Sequence, residues 1–267
     1  MRRIGICLCS AGLALMLAGC ATLPAAVRLH NAVQPAAVAL EPQAEATPAP
    51  TPTPTPTPTP VPELEFESVE LVMQNPELPN GCEVTSLSMV LTAAGYPVDK
   101  VELYEEFLPA EEFTYSGDYR YGPSPEEAYV GDAASATGGW YCFEQPILTA
   151  GNAWIEYCGG GAEMVQLTGL SQDDLDELLA DHTPVVAWVT REYGEPYFAW
   201  DFSWVVPTGE EYVPYNNLHC VAVAGIYGDE YLVADPLEGW DMVDRDTFWS
   251  SFDAMGRRAV TVVATAE

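Results

Sequence analysis

Gly81-Cys82-Glu83-Val84-Thr85-Ser86-Leu87-Ser88-Met89-Val90-Leu91-Thr92-Ala93-Ala94-Gly95 is the stretch whose reading decides the fold of this chain. Val84, Leu87, Leu91 and Ala94 recur at helical spacing and share one face; Gly95 follows as the residue that turns left-handed, and Pro97 lies where a helix cannot continue. A helix is predicted over residues 83–94, with Cys82 at its N-terminus. A thiolate at that place is favoured by the free backbone N–H groups, and an imidazolium nearby would lower the thiol pKa from about 8.5 toward roughly 3.5–7.5. A cysteine at a helix start is, by itself, more often a small buried hydrophobe than a nucleophile.

Working outward, further helix starts are read at Ser124-Pro125-Glu126-Glu127, an N-cap, a first-turn proline and a capping-box glutamate, and at Ser171, whose helix ends near His182. Pro184 to Thr190 is a continuous apolar run, as expected of a buried strand. His219 to Tyr227 and Glu230 to Ala234 flank Gly228-Asp229 and read as a hairpin. Asp244 to Phe252 reads as a short helix and Ala259 to Ala264 as a last strand. Helices lead and strands follow, so the fold class is α+β.

Three histidines make the search for a general base short. His30 precedes a proline-rich segment and has no defined surroundings. His182 ends a helix, where an imidazole interacts with the helix dipole, so its role reads as structural. His219 opens an apolar strand whose hairpin partner ends in Asp235-Pro236, and antiparallel pairing around residues 228 and 229 makes His219 and Asp235 neighbours. Gln74 stands eight residues before Cys82, close enough for its amide and the Cys82 N–H to serve one oxygen as an oxyanion hole.

Of the seven cysteines, Cys82, Cys142, Cys158 and Cys220 remain once the first twenty residues are set aside. Cys142 and Cys158 bracket a Gly- and Trp-rich stretch and are read as a disulfide. No cysteine–histidine spacing suits zinc and no loop carries EF-hand ligands, so neither a metal nor a cofactor is expected. The segment from Phe107 to Tyr157 is rich in Tyr, Trp and Gly; its rings either line a cleft or pack among themselves.

Nine Lys plus Arg stand against 40 Asp plus Glu, a formal charge of -31, which argues against a nucleic-acid partner and against docking on anionic lipid by charge. Membrane attachment has another route. Arg2 and Arg3 precede an apolar run from Ile4 to Met16, the composition of a signal peptide over residues 1–19. It ends in Leu17-Ala18-Gly19-Cys20, which resembles a bacterial lipobox, so Cys20 is the expected lipidated N-terminus and the outer face of the membrane the expected location. Residues 20–62 then form a stalk. Its Thr-Pro alternation from Thr47 to Pro60 removes backbone donors, fixes φ at every second residue and reaches roughly 43 Å in a polyproline II conformation. Residues 63–267 make the folded domain.

Taken together, Gln74, the run from Gly81 to Leu91, Asn217-Leu218-His219-Cys220-Val221-Ala222-Val223-Ala224-Gly225 and Asp235-Pro236 resemble the papain-fold cysteine peptidases related to the double-glycine leader peptidases of bacteriocin exporters. The resemblance spans about residues 69–264, with Gly139-Trp140-Tyr141 and Pro184-Val185-Val186-Ala187-Trp188-Val189 included. It implies a papain-like fold, Cys82 as nucleophile, His219 as general base and acid, Asp235 as the residue that orients the imidazole, Gln74 as oxyanion donor, and a peptide or protein substrate. An exporter's ATP-binding cassette has no counterpart in these residues, so leader cleavage during export is not the expected reaction. Two rival readings share the fold: an amidase acting on cell-wall peptides, and a surface binding domain without catalysis.

Overall fold

A computed structural model describes residues 68–265. The readings made for the signal peptide, Cys20, His30 and the stalk fall outside the described residues.

Among the described residues five α-helices run α1 (Cys82–Ala93), α2 (Lys100–Glu106), α3 (Glu144–Tyr157), α4 (Gln172–Ala180) and α5 (Arg245–Ala254). The strands are β1 (Ala110–Glu111), β2 (Thr114–Ser116), β3 (Tyr119–Tyr121), β4 (Tyr129–Val130), β5 (Ala162–Gln166), β6 (Val185–Thr190), β7 (Trp204–Val205), β8 (Glu211–Tyr212), β9 (Leu218–Tyr227), β10 (Glu230–Asp235), β11 (Gly239–Asp244) and β12 (Ala259–Ala264). Six of them form the main sheet in the order β11-β10-β9-β6-β12-β5, every neighbouring pair antiparallel. The expected α+β class is what the chain adopts.

Alternation along the strands divides the core in two. Val186, Trp188, Cys220, Ala222, Val260 and Val262 face α1 and α3, while Val185, Ala187, Val189, Val221, Val223 and Val233 face α4 and α5. Helices on both faces explain why β6 reads as an unbroken apolar run: all six of its residues are buried.

Helix α1 differs from the one-faced helix of the sequence reading. Every residue from Cys82 to Leu91 is buried, Thr85, Ser86 and Ser88 included. The two serine hydroxyls find acceptors, Ser86 Oγ donating to the β9 carbonyl of Cys220 at 3.2 Å and Ser88 Oγ to the Thr85 carbonyl at 2.8 Å, while Thr85 Oγ1 is buried with no partner among the described residues. Its end is the expected one, with Gly95 at φ +87° and Tyr96 N–H bonded back to the Leu91 carbonyl at 2.9 Å.

Two expectations change, and one open alternative is decided. Ser124-Pro125-Glu126-Glu127 closes a single turn, Ser124 O accepting from Glu127 and Ala128 N–H, and the chain then enters β4. Burial of Tyr129 and its bond from N–H to the Pro109 carbonyl at 2.7 Å outweigh the helix-start signals. Cys142 and Cys158 are not bridged. The Gly- and Trp-rich stretch between them contains α3, whose 14 residues span about 21 Å, far beyond the roughly 7 Å that a disulfide tolerates between Cα atoms. Both cysteines are free, the first buried and the second exposed. Gly151 lies inside α3 for a packing reason: a Cβ there would stand 2.6 Å from Met164 Cγ on β5. Finally, the aromatic residues between Phe107 and Tyr157 mostly pack on rings, as Phe107 on Trp154 at 5.3 Å and Trp140 on Phe202 at 4.6 Å between centroids.

Candidate active site

His219 is the second residue of β9 and Asp235 the last of β10. The hairpin turns at Gly228, with φ +64°, so the two strand ends return to one another. His219 Nε2 and Asp235 Oδ1 are 2.9 Å apart, and both residues are buried. The same oxygen accepts from the N–H groups of Leu237 at 2.7 Å and Glu238 at 3.1 Å as the chain turns toward β11. Burial alone would raise the Asp235 pKa; the hydrogen bond and charge of His219 and the two N–H groups outweigh it and hold the carboxyl below its ordinary value. An ionised Asp235 favours the tautomer with the proton on Nε2. That leaves Nδ1, which has no protein partner among the described residues, free to take up a proton.

The pair opens onto a cleft of about 570 Å³ lined also by Arg191, Glu192, Tyr193, Leu237, Glu238 and Asp241. Glu192 and Tyr193 hold left-handed backbone angles, φ +56° and +55°, a conformation that costs a residue with a side chain on the order of 1–2 kcal/mol. Asn217 supports that loop from two residues before His219. Its carbonyl accepts from Arg191 N–H at 2.8 Å, its Oδ1 from Tyr197 N–H at 3.0 Å, and its Nδ2 donates to the Glu195 carbonyl at 2.9 Å.

Cys82 begins α1 because Gly81 lets the chain turn tightly before it: a Cβ on Gly81 would stand 2.7 Å from Leu78 Cβ. Gly81 offers no side-chain cap, and among the described residues the Cys82 N–H has no protein partner, as expected for the first turn of a helix. Cys82 is 8% exposed, and its thiol lies close enough to β9 for the Cys220 backbone to act on it. Its hydrogen bond goes to Glu83 Oε2 at 3.3 Å, and among the described residues none joins it to His219.

The lowered thiol pKa expected from the helix terminus is not found. Burial pushes Cys82 well above the usual thiol value, the charge and hydrogen bond of Glu83 push it further, and the Cys220 backbone and Arg191 only partly oppose them. Cys82 is thus held as a neutral thiol.

Gln74 is 2% exposed. Its N–H donates to the Pro236 carbonyl at 2.7 Å, which brings the Gln74 loop beside Asp235-Pro236. Its Nε2 donates to the Pro79 carbonyl at 2.6 Å, so one amide hydrogen is occupied within its own loop, while Oε1 is buried without a partner. Lys100, from the first turn of α2, anchors the loop: its ammonium donates to the Met73 carbonyl, to the Gln74 carbonyl at 3.1 Å and to Glu77 Oε2 at 2.8 Å. That bond from Lys100, with its backbone contacts, also lowers the Glu77 carboxyl. His182 follows the α4 cap, exposed and at φ +60°, in the position where a helix ends.

The sequence reading passed over Glu83, Lys100, Asn217 as a loop clamp, and Tyr193. Only Glu83 carried a usable signal: it is the sole charged residue of α1, in a helix otherwise made of apolar and small residues. Among the described residues, no cluster of His, Cys, Asp and Glu suits a metal ion.

This geometry sits in a chain whose relatives are recognisable. Residues 66–260 match the Peptidase C39-like family, and the chain belongs to that family. It is 33% identical over 192 residues to the uncharacterized protein YvpB of Bacillus subtilis (strain 168), covering 71% of this chain and 72% of that protein. The crystal structure of a Bacillus anthracis protein named as a C39-like peptidase superposes with a TM-score of 0.63 at 28% identity, covering 75% of this chain and all of that one. The peptidase domain of Streptococcus ComA, a bifunctional ABC transporter of a quorum-sensing pathway, gives a TM-score of 0.41 at 15% identity over 74% of this chain and 99% of that one. The fold is the papain-like, C39-like peptidase fold, as the sequence resemblance implied.

Proposed function

We propose that this chain is a thiol peptidase that hydrolyses peptide bonds with Cys82, His219 and Asp235, and that it works outside the cytoplasm on a lipid anchor. The observation that carries the reading is the His219–Asp235 pair at 2.9 Å on the rim of a cleft, in a member of the C39-like peptidase family. With Nε2 committed to Asp235, Nδ1 is the basic nitrogen. Because Cys82 rests as a thiol, His219 takes its proton as the sulfur attacks the substrate carbonyl, rather than holding a preformed ion pair. The unpartnered Cys82 N–H and the second amide hydrogen of Gln74 would receive the oxyanion. His219 then protonates the departing amine, and water releases the acyl group from sulfur.

Location rests on the sequence: the lipobox-like Leu17-Ala18-Gly19-Cys20 and the Thr-Pro stalk support a domain held off a membrane surface. Mass spectrometry of exported protein should find Cys20 as an acylated N-terminus, and unmodified chains starting well beyond Cys20 would reject the anchor.

Digestion of a peptide library by the domain, compared with Cys82→Ala and His219→Ala, tests the chemistry. Both variants should lose hydrolysis by at least about a thousandfold, because residues acting as one unit fail together. Cleavage that survives Cys82→Ala would overturn the reading, and cleavage confined to cell-wall muropeptides would turn it into an amidase.

A further inference from the structure

Glu83 is a carboxyl group with neither solvent nor a counter-charge. It is fully buried, and among the described residues its only side-chain partners are the Cys82 thiol, on Oε2 at 3.3 Å, and the Cys142 N–H, on Oε1 at 3.2 Å. A buried acid ordinarily has a cation or several strong donors.

The ionisable groups around it supply no cation that pairs with it. Cys82 lies beside it on α1, Cys142 ahead of α3, Cys220 on β9 and Tyr129 on β4, and each of them feels the Glu83 charge. Glu144, at the start of α3, acts on Cys142 and Cys220, and Arg191, after β6, acts on Cys82. Burial therefore pushes Glu83 up to about 7 against the hydrogen bonds it accepts. A glutamine would keep one of these acceptors, its Oε1 for the Cys142 N–H, and would turn its NH2 toward the Cys82 sulfur, which can accept as well as donate, so packing alone does not call for a titrating group. What a carboxylate adds is a negative charge 3.3 Å from the sulfur.

We propose that Glu83 is a positioning residue that holds Cys82 in reserve: while ionised it accepts the thiol hydrogen and opposes the thiolate, and on taking a proton from solvent it releases the sulfur to ionise toward His219. The proposal rests on the reading of Cys82 as the nucleophile. It makes the reactivity of the thiol depend on an adjacent acid as well as on the histidine, and it accounts for a nucleophile that the structure holds neutral.

The test is the rate of Cys82 alkylation by iodoacetamide between about pH 5 and pH 9, followed by mass spectrometry in the wild-type domain and in Glu83→Gln. The variant should react about tenfold faster near pH 8, the change in thiolate population for a thiol pKa lowered by about one unit, with its whole profile moved to lower pH. Superimposable profiles would overturn the proposal. Should Glu83→Gln fail to fold, the Glu83 carboxyl can be titrated by ¹³C NMR in the wild type and in Cys82→Ala. Loss of the thiol donor should raise its pKa, and an unchanged titration would overturn the proposal equally. Alkylation needs no turnover, so a failure here is distinct from a failure of the peptidase reading, which is decided by hydrolysis in Cys82→Ala.

Discussion

Replacing Glu83 by glutamine should make the domain more stable, and by an amount that grows with pH. The carboxyl is raised from an ordinary 4.5 to about 7 with its residue wholly buried. At about 1.4 kcal/mol per pKa unit, this corresponds to about 3 kcal/mol of lost stability once the group is ionised in both states. The sign follows from proton counting. Between these two values the folded protein keeps a proton that the unfolded chain has released, so stability falls as pH rises through that window and the cost is complete above about pH 8. Glutamine preserves the acceptor for Cys142 N–H and carries no charge. Urea unfolding of both proteins, read by the fluorescence of buried Trp188 and Trp204, should show a stability difference that rises by about 3 kcal/mol from about pH 4 to about pH 8. Groups such as Asp235 titrate in both proteins and cancel from that difference. A difference that is flat with pH, or that shrinks as pH rises, would refute the reasoning.

Other perturbations follow from the same geometry. Asp235→Asn keeps an acceptor for His219 and the two backbone N–H groups but loses the charge, so peptide hydrolysis should fall about tenfold to a hundredfold, the worth of one charge-assisted bond, and Asp235→Ala should fall further. Because Asp235 is held below its ordinary value, the wild type should lose its stability advantage over Asp235→Asn as pH drops below about 4, which acid unfolding can check. Lys100→Met leaves the Met73 and Gln74 carbonyls without their donor and should lower kcat more than it raises KM, with a loss of about 2–4 kcal/mol in denaturant unfolding. Under native, non-reducing conditions a maleimide should label exposed Cys158 quickly while buried Cys142 stays protected, and mass mapping should find no bridge between them.

The elements that were legible in the sequence share a physical property: their local signals agree with their burial. Helix α1 ends where Gly95 and Pro97 say it must, α4 begins at the capping box of Ser171 and Asp174, and β6 is apolar because helices cover both of its faces. The His219–Asp235 pair was legible because hairpin geometry converts a turn at Gly228 into a contact between strand ends. The elements that escaped lack such agreement. Helix α3 carries Pro146 and Gly151, residues that speak against a helix, yet the proline falls in the first turn and the glycine admits Met164. Strand β11 buries only Val243, so no alternation of apolar residues betrays it.

At the site, the missed features are those made by residues far apart in sequence. Helix-terminus reasoning treats Cys82 as if water and a dipole were its whole environment, and on that basis a low thiol pKa follows. The fold instead covers the N-terminus of α1 with β9, β4 and the segment before α3, so desolvation becomes the larger effect and the neighbouring Glu83 adds to it. The same enclosure raises Glu83 toward neutrality, because burial penalises the carboxylate more than the hydrogen bonds it accepts can offset, and no cation stands beside it. The Gln74 loop shows the same logic with the opposite sign: there a cation is present, and buried Lys100 fixes the Met73 and Gln74 carbonyls from a helix 26 residues away in sequence. One cationic side chain thus orders the loop beside Asp235-Pro236, while beside Glu83 no such cation pairs with the carboxyl, and burial holds both Glu83 and the Cys82 thiol above their ordinary values.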